Sequence, residues 1–357
     1  MRTTRTRMYL AAGLSASTAV AAVAALATPS NAATNDPLYA KQWGLTQINA
    51  SQAWAKSTGA GAVIAVVDTG VDLSHPDLQG KLVTGATFTG CPKGQRPCGN
   101  GDWKGPDGNG AADDVHGTHV SGIAAAATGN GIGIAGVAPA AKIMPVKVLE
   151  AGSGSYEDIA DGVRWATDHG ADVINMSLGG LAGTQLLPLL GVDTTLADAI
   201  AYAVGKGVAV VAAAGNTSTP LCSDPAFTDD VICVVATDRN ELKSAYSEFG
   251  IKPDLNVVSA PGGAGLVNCD DDVWSSVPQG TGSDACGQKN YDAFAGTSMA
   301  TPHVAGVAAL LAAQGRSRAG IYNAILTTAR TPGALARGVY NPVYGYGIVD
   351  AAAAVAA

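Results

Sequence analysis

The chain is poor in charge. Asp, Glu, Lys and Arg make up 14% of its 357 residues, while hydrophobic types make up 47%. Disordered chains have the opposite balance, so that class is excluded. Positive charge is the scarcer sign, with 21 Lys and Arg against 29 Asp and Glu and a formal charge of -8. This argues against nucleic acid or an anionic membrane surface as the main partner. Past the first thirty residues no apolar run has the length and continuity of a membrane helix, and the Ala-rich end, Ala351 to Ala357, is far too short. No internal repeat and no low-complexity linker interrupts the chain. None of the six cysteines forms a C-x-x-C pair, which argues against a zinc or thioredoxin-type site. What the chain has in surplus is glycine, 46 of 357 residues, against an ordinary share of ~7%. Without a three-residue period the surplus means tight turns and close backbone approaches, not collagen.

The N-terminus reads as a targeting segment. Arg2, Arg5 and Arg7 precede an uncharged stretch, Met8 to Ala27, and Pro29 ends it. Ser30-Asn31-Ala32 then places small residues three and one before a cut. This predicts a secretory signal peptide over residues 1–32. An uncleaved anchor is disfavoured because the run is rich in Ala and Ser, not Leu, and a cleavage site follows. The protein is therefore expected outside the cell, with no stable membrane association. An even cysteine count in an exported chain suggests disulfides. Sequence leaves many pairings open. The nearest-neighbour set, Cys91 with Cys98, Cys222 with Cys233 and Cys269 with Cys286, is favoured, each closing a surface loop. Cys233 lies in the apolar run Val231 to Val235 and best suits a buried free thiol instead.

Apolar runs alternate with amphipathic stretches. Ala62 to Val67, Lys142 to Leu149, Asp172 to Leu178, Val208 to Ala213 and Val231 to Ala236 read as buried strands. Ser155 to Gly170 reads as a helix, with Ser155 and Asp158 in capping-box spacing and Ile159, Val163 and Ala166 on one face. Thr194 to Lys206 repeats that design. Strands apolar on both faces and separated by helices predict an α/β fold, a mostly parallel sheet covered on two sides, in one domain over 33–357. Thr89 to Asp113 reads as a long surface loop. In such folds ligands sit beyond the carboxyl ends of the strands. Asp68, Ser177-Leu178-Gly179 and Asn216 all follow strands and so share one edge.

Three segments carry chemistry: VVDTGVD at 66–72, HGTHVSG at 116–122 and GTSMATPHVAG at 296–306. A serine hydroxyl is a weak nucleophile at neutral pH and needs a base, which needs an orienter. Ser298 is the candidate nucleophile, His116 the base and Asp68 the orienter. Ser298 opens an apolar helical run, Met299 to Ala313, with Pro302 expected in its first, tolerant turn. Helix N-terminal N–H groups suit an oxyanion beside Ser298, and the Asn216 amide is the second candidate donor. H-x-x-H at His116 and His119 lacks the Glu of a zinc protease, so His119 and His303 read as structural.

With NDPLYAKQWGL near the mature start, NMSLGG at 175–180 and AAAGN at 212–216, these segments resemble the subtilisin-like serine proteases over nearly the whole mature chain. The resemblance implies a three-layer single-domain fold and a secreted, monomeric endopeptidase acting on proteins and peptides through an acyl-enzyme. A processing protease of narrow specificity and an inactive peptide-binding homologue are the alternatives. Gly152, Ser153, Gly154 and Ser177, Leu178, Gly179 match the two segments that flank an extended substrate. Small uncharged surroundings favour an apolar residue before the scissile bond, although Asp224 would favour Lys or Arg if it pointed inward. The resemblance also implies structural calcium (Ca2+). Asp36, Asp77 and Asn130 would supply side-chain oxygens, and Ala127, Ile132 and Ile134 backbone oxygens. A second site within Asp107 to Asp114 is a weaker expectation. One departure stands out: between Ala32 and the mature-like segment there is no room for the family's inhibitory pro-domain.

Overall fold

This computed structural model describes residues 34–180, 194–265 and 268–357. The described residues belong to one compact unit, Asn31–Ala357. The whole signal-peptide segment 1–32 lies outside the described residues. Among the described residues no helix is long and apolar enough to cross a membrane.

The five predicted strands form, with ends shifted by a residue or two, and two unpredicted ones, β2 and β7, join them. In chain order the strands are β1 (Val63–Asp68), β2 (Ala86–Thr87), β3 (Lys142–Lys147), β4 (Val173–Met176), β5 (Ala209–Ala213), β6 (Ile232–Thr237) and β7 (Val257–Pro261). They build one sheet in the order β2-β3-β1-β4-β5-β6-β7, and every pairing is parallel. β8 (Val273–Ser276) and β9 (Tyr291–Phe294) form a separate antiparallel pair. The helices are α1 (Trp43–Gln47), α2 (Ala50–Ala53), α3 (His116–Ala125), α4 (Tyr156–Asp168), α5 (Thr195–Gly205), α6 (Thr297–Ala312), α7 (Arg318–Thr328) and α8 (Ala351–Ala356).

The two-residue period of β1 explains the three layers. Ile64 and Val66 enter one core with residues of α3, α6, α7 and α8. Ala65 and Val67 enter a second core with residues of α4 and α5. Both faces are buried, so the strands read as unbroken apolar runs. α6 crosses the first core and is buried on nearly every side, which is why its sequence lacks a polar stripe. α4 starts where expected, the Ser155 hydroxyl accepting from the Asp158 N–H at 3.0 Å.

All three expected disulfides are present, Cys91–Cys98, Cys222–Cys233 and Cys269–Cys286, so Cys233 is not a free thiol. One expectation fails. α6 begins at Thr297, so Pro302 stands in its second turn and not its first. Having no N–H, Pro302 leaves the Ser298 carbonyl without its intrahelical donor. The Ser177 hydroxyl donates to that carbonyl at 2.8 Å and replaces it.

Candidate active site

Four chain segments deliver the predicted residues to the carboxyl edge of the sheet. Asp68 is the last residue of β1, and His116 is the first of α3. Asp68 is fully buried, and its Oδ1 stands 2.7 Å from His116 Nδ1. The Thr69 N–H donates to the same oxygen at 2.7 Å. That carboxylate contact fixes the proton on Nδ1 and turns Nε2 outward. The His116 side chain keeps 26% of its area open, on the cleft side. Burial lowers the imidazole's proton affinity, but the Asp68 charge and hydrogen bond outweigh it, and the net shift is upward.

Ser298 is the second residue of α6. Its hydroxyl donates to the Ser177 carbonyl at 3.1 Å, and among the described residues no hydrogen bond joins it to His116. Ser177, whose carbonyl accepts from that hydroxyl, lines the same cleft as His116. Catalytic hydrogen bonds of ligand-free sites are commonly unformed. The Ser177 hydroxyl, which donates to the Ser298 carbonyl, in turn accepts from Asn175 Nδ2 at 3.0 Å, and both residues are buried. The start of α6 is thereby bolted to the end of β4.

Asn216 follows β5. Its Oδ1 accepts from the Thr297 N–H at 2.9 Å and from the Thr297 hydroxyl at 3.0 Å. An amide N–H requires an acceptor, which settles the orientation of the Asn216 amide. Nδ2 is left to face the space beside Gly296. A Cβ built on Gly296 would lie 3.5 Å from Asn216 Nδ2 and 3.6 Å from the Ser298 nitrogen. Both nitrogens therefore lie close to one point beside Gly296, and two N–H donors aimed at one point can stabilise a developing oxyanion.

The cleft has a volume of about 750 Å³. Gly152, Ser153, Gly154, Ser177, Leu178 and Gly179 all line it, together with Asp224 and Pro225. Leu149, Tyr156, Ile159, Leu196 and Phe294 give it apolar walls. The Gly180 N–H donates to the Asp224 carbonyl at 2.7 Å. His119 and His303 take structural places. His119 is buried, stacks on Phe294 at 4.4 Å and meets the Asp292 carbonyl at 3.2 Å, and His303 Nδ1 meets the Met299 carbonyl at 2.8 Å.

The six expected calcium-binding residues share one network. Asp36 accepts from the Gly129 N–H, at 2.8 Å in its shorter contact, and from the Asn130 N–H at 3.1 Å. Asp77 accepts from Asn130 Nδ2 at 2.8 Å, from the Ile134 N–H at 2.9 Å and, through its carbonyl, from the Ala127 N–H at 2.8 Å. The Ile132 N–H donates to Asn130 Oδ1 at 3.0 Å. Asp36 and Asp77 are both buried, and among the described residues neither forms an ion pair with Lys or Arg. Burial pushes the Asp77 carboxyl up, against the pull of its hydrogen bonds. Two buried carboxylates around one loop without a counter-charge fit a cation.

Sequence reasoning passed over Lys147. Its ammonium is fully buried and donates to the Thr69 carbonyl at 2.9 Å, the Leu149 carbonyl at 2.9 Å and Asp114 Oδ2 at 3.0 Å. It ties the ends of β1 and β3 to the turn before α3. The signal was available: a charge inside an otherwise apolar strand demands a buried partner.

Comparison with known proteins follows the same line. The model of the Subtilase family matches residues 59–347. The chain is 43% identical over 297 residues to thermitase of Thermoactinomyces vulgaris, a match covering 83% of this chain and 91% of that protein. It is 42% identical over 298 residues to a thermophilic serine proteinase of Bacillus sp. (strain AK1), covering 83% of this chain but 63%, under two thirds, of that protein's length. Among solved structures it is similar to a protease from Pseudoalteromonas arctica PAMC 21717, with a TM-score of 0.75 at 35% identity, covering 90% of this chain and 98% of that one.

Proposed function

The chain belongs to the subtilase family and is a serine endopeptidase, and from that premise we propose that it hydrolyses peptide bonds in proteins through Asp68, His116 and Ser298. The observation that carries the reading is the Asp68–His116 contact at 2.7 Å beside a serine at a helix N-terminus. In this reading the Ser298 hydroxyl leaves the Ser177 carbonyl and turns to His116 Nε2 when substrate binds. Ser298 Oγ then attacks the scissile carbonyl while its proton passes to Nε2. The Ser298 N–H and Asn216 Nδ2 donate to the oxyanion. The imidazolium, stabilised by Asp68, gives its proton to the leaving amine. Water attacks the acyl-enzyme with His116 again as base, and Ser298 is restored.

An extended substrate pairs its backbone with Gly152 to Gly154 and Ser177 to Gly179. Backbone pairing reads no side chains, which supports broad specificity. The apolar walls of the cleft favour an apolar or aromatic residue before the scissile bond. The protein acts outside the cell as a monomer, free of the membrane once the segment 1–32 is removed. Asp36, Asp77, Asn130 and the carbonyls of Ala127, Ile132 and Ile134 would hold Ca2+. When bound it supplies positive charge to the buried carboxylates and pins the N-terminal arm to the domain. Casein digestion with and without a serine-directed inhibitor, followed by cleavage-site profiling of a peptide mixture, tests the reading. Inhibited digestion with cuts mostly after apolar residues is expected. Digestion by S298A at the parent rate would refute the mechanism, and cuts mostly after Lys or Arg would overturn the specificity.

A further inference from the structure

Glu248 is fully buried, and among the described residues no Lys or Arg forms an ion pair with it. Lys243 interacts with it electrostatically, but the Lys243 ammonium donates to the Ser244 and Ser247 carbonyls. A carboxylate in such a place depends on hydrogen-bond donors. All of its side-chain donors come from the loop that follows β5. The Thr217 hydroxyl donates to Oε1 at 2.6 Å and the Thr219 N–H to Oε2 at 2.6 Å, with the Ser223 hydroxyl a distant third at 3.5 Å. The Glu248 N–H also donates to the Gly215 carbonyl at 3.1 Å. A Cβ on Gly215 would come within 2.7 Å of Glu248 Oε1, so the carboxylate lies directly against that backbone.

Asn216 stands between Gly215 and Thr217. Its amide is held from the other side by Thr297, at the start of α6. We propose that Glu248 is a positioning residue for the oxyanion donor Asn216, clamping the backbone on both sides of it so that Nδ2 is aimed before substrate arrives. Charge-assisted bonds are the stronger and shorter kind, and they suit a clamp on an otherwise exposed loop. Through Ser223 the same carboxylate reaches the residue preceding Asp224, which lines the cleft. The inference rests on the reading of Asn216 as an oxyanion donor.

The test is a double-mutant cycle on kcat and KM with a small peptide substrate, using titrated active sites. E248Q keeps the size of the side chain but removes its charge and presents an amide NH2, itself a donor, to one of its two main donors. T217V removes the same bond from the other end. N216A is expected to lower kcat by about 10²–10³, the magnitude found for this donor in subtilisin. E248Q and T217V are each expected to lower kcat by about threefold to tenfold with KM nearly unchanged, and to have no further effect on kcat in the N216A background. A structural fault elsewhere would multiply with N216A instead, and that result, or unchanged kcat in both variants, would overturn the clamp. Unchanged kcat in N216A would overturn the oxyanion reading and the clamp with it. Near-UV circular dichroism of each variant separates loss of fold from loss of aim.

Discussion

Replacing Lys147 by Met should unlatch the base of the active site. Met fills the volume of the Lys stem and removes the ammonium. The Thr69 and Leu149 carbonyls each lose a donor at 2.9 Å, and Asp114 loses a cation at 3.0 Å. Asp114 is fully buried, so water cannot take the place of the lost charge. Its remaining partners are the Ala111 and Ala151 N–H groups, at 3.1 and 3.0 Å. Glu150, the other carboxylate near the ammonium, is 38% exposed and can turn to solvent. The loss is therefore that of a buried pair broken from one side, about 3–5 kcal/mol. Urea unfolding of K147M in an S298A background, where self-digestion is silenced, measures it. Where refolding is not reversible, the unfolding rate reads the same loss. Adding D114N removes the stranded charge, so the double variant should be more stable than K147M alone. A loss below about 1 kcal/mol in K147M, or a double variant as unstable as the sum of the two singles, would refute the argument.

The acid limb of kcat/KM should follow His116, which must be neutral to act as base. Its pKa lies above the ordinary 6.5 because Asp68 outweighs burial, so activity should rise as pH passes upward through a value above 6.5. D68N leaves burial unopposed. Its residual activity, lower by about 10⁴ as in serine proteases where this triad has been dissected, should show the limb at lower pH, and an unmoved limb would exclude His116 as its source. His119 and His303 are pushed down, to about 3 and about 4, chiefly by burial. Unfolded imidazoles protonate near 6.5, so the stability from these neutral rings is complete above that pH and is lost as pH falls towards 4. His119 and His303 should together contribute an uptake of about two protons on unfolding across that window, so H303Q should take up one fewer than the parent. Gly133 sits at a φ of +49°, where a Cβ would collide with the Asp77 carboxylate and the Tyr291 hydroxyl. Removing calcium with a chelator should lower the unfolding midpoint of the parent, while G133A should start low and respond little. An equal response in both would separate Asp77 from the metal.

Much of the architecture could be read locally. The five apolar runs became strands because burial on both faces leaves no polar position, and that pattern needs no knowledge of partners. The Ser155 cap and the one-sided face of α4 are likewise properties of a few neighbouring residues. The strands β2 and β7 and the β8–β9 pair escaped notice because they are short or lack a marked pattern. The Pro302 expectation failed over two residues of helix boundary, which local pattern does not fix.

The order of the three motifs was enough to name the candidates Asp68, His116 and Ser298, and the even cysteine count enough to favour the loops that proved closed. Distances between side chains belonged to the tertiary structure. The 48 residues separating Asp68 from His116, and the 121 separating Ser298 from Ser177, are bridged because parallel strands linked by crossovers lay their carboxyl ends side by side. Buried charge obeys the same division. Sequence places Lys147 and Glu248 in their segments, but a charge removed from water is stabilised by whatever donors and counter-charges the fold packs around it. For Lys147 these came from three separate segments, and for Glu248 from the loop that carries Asn216.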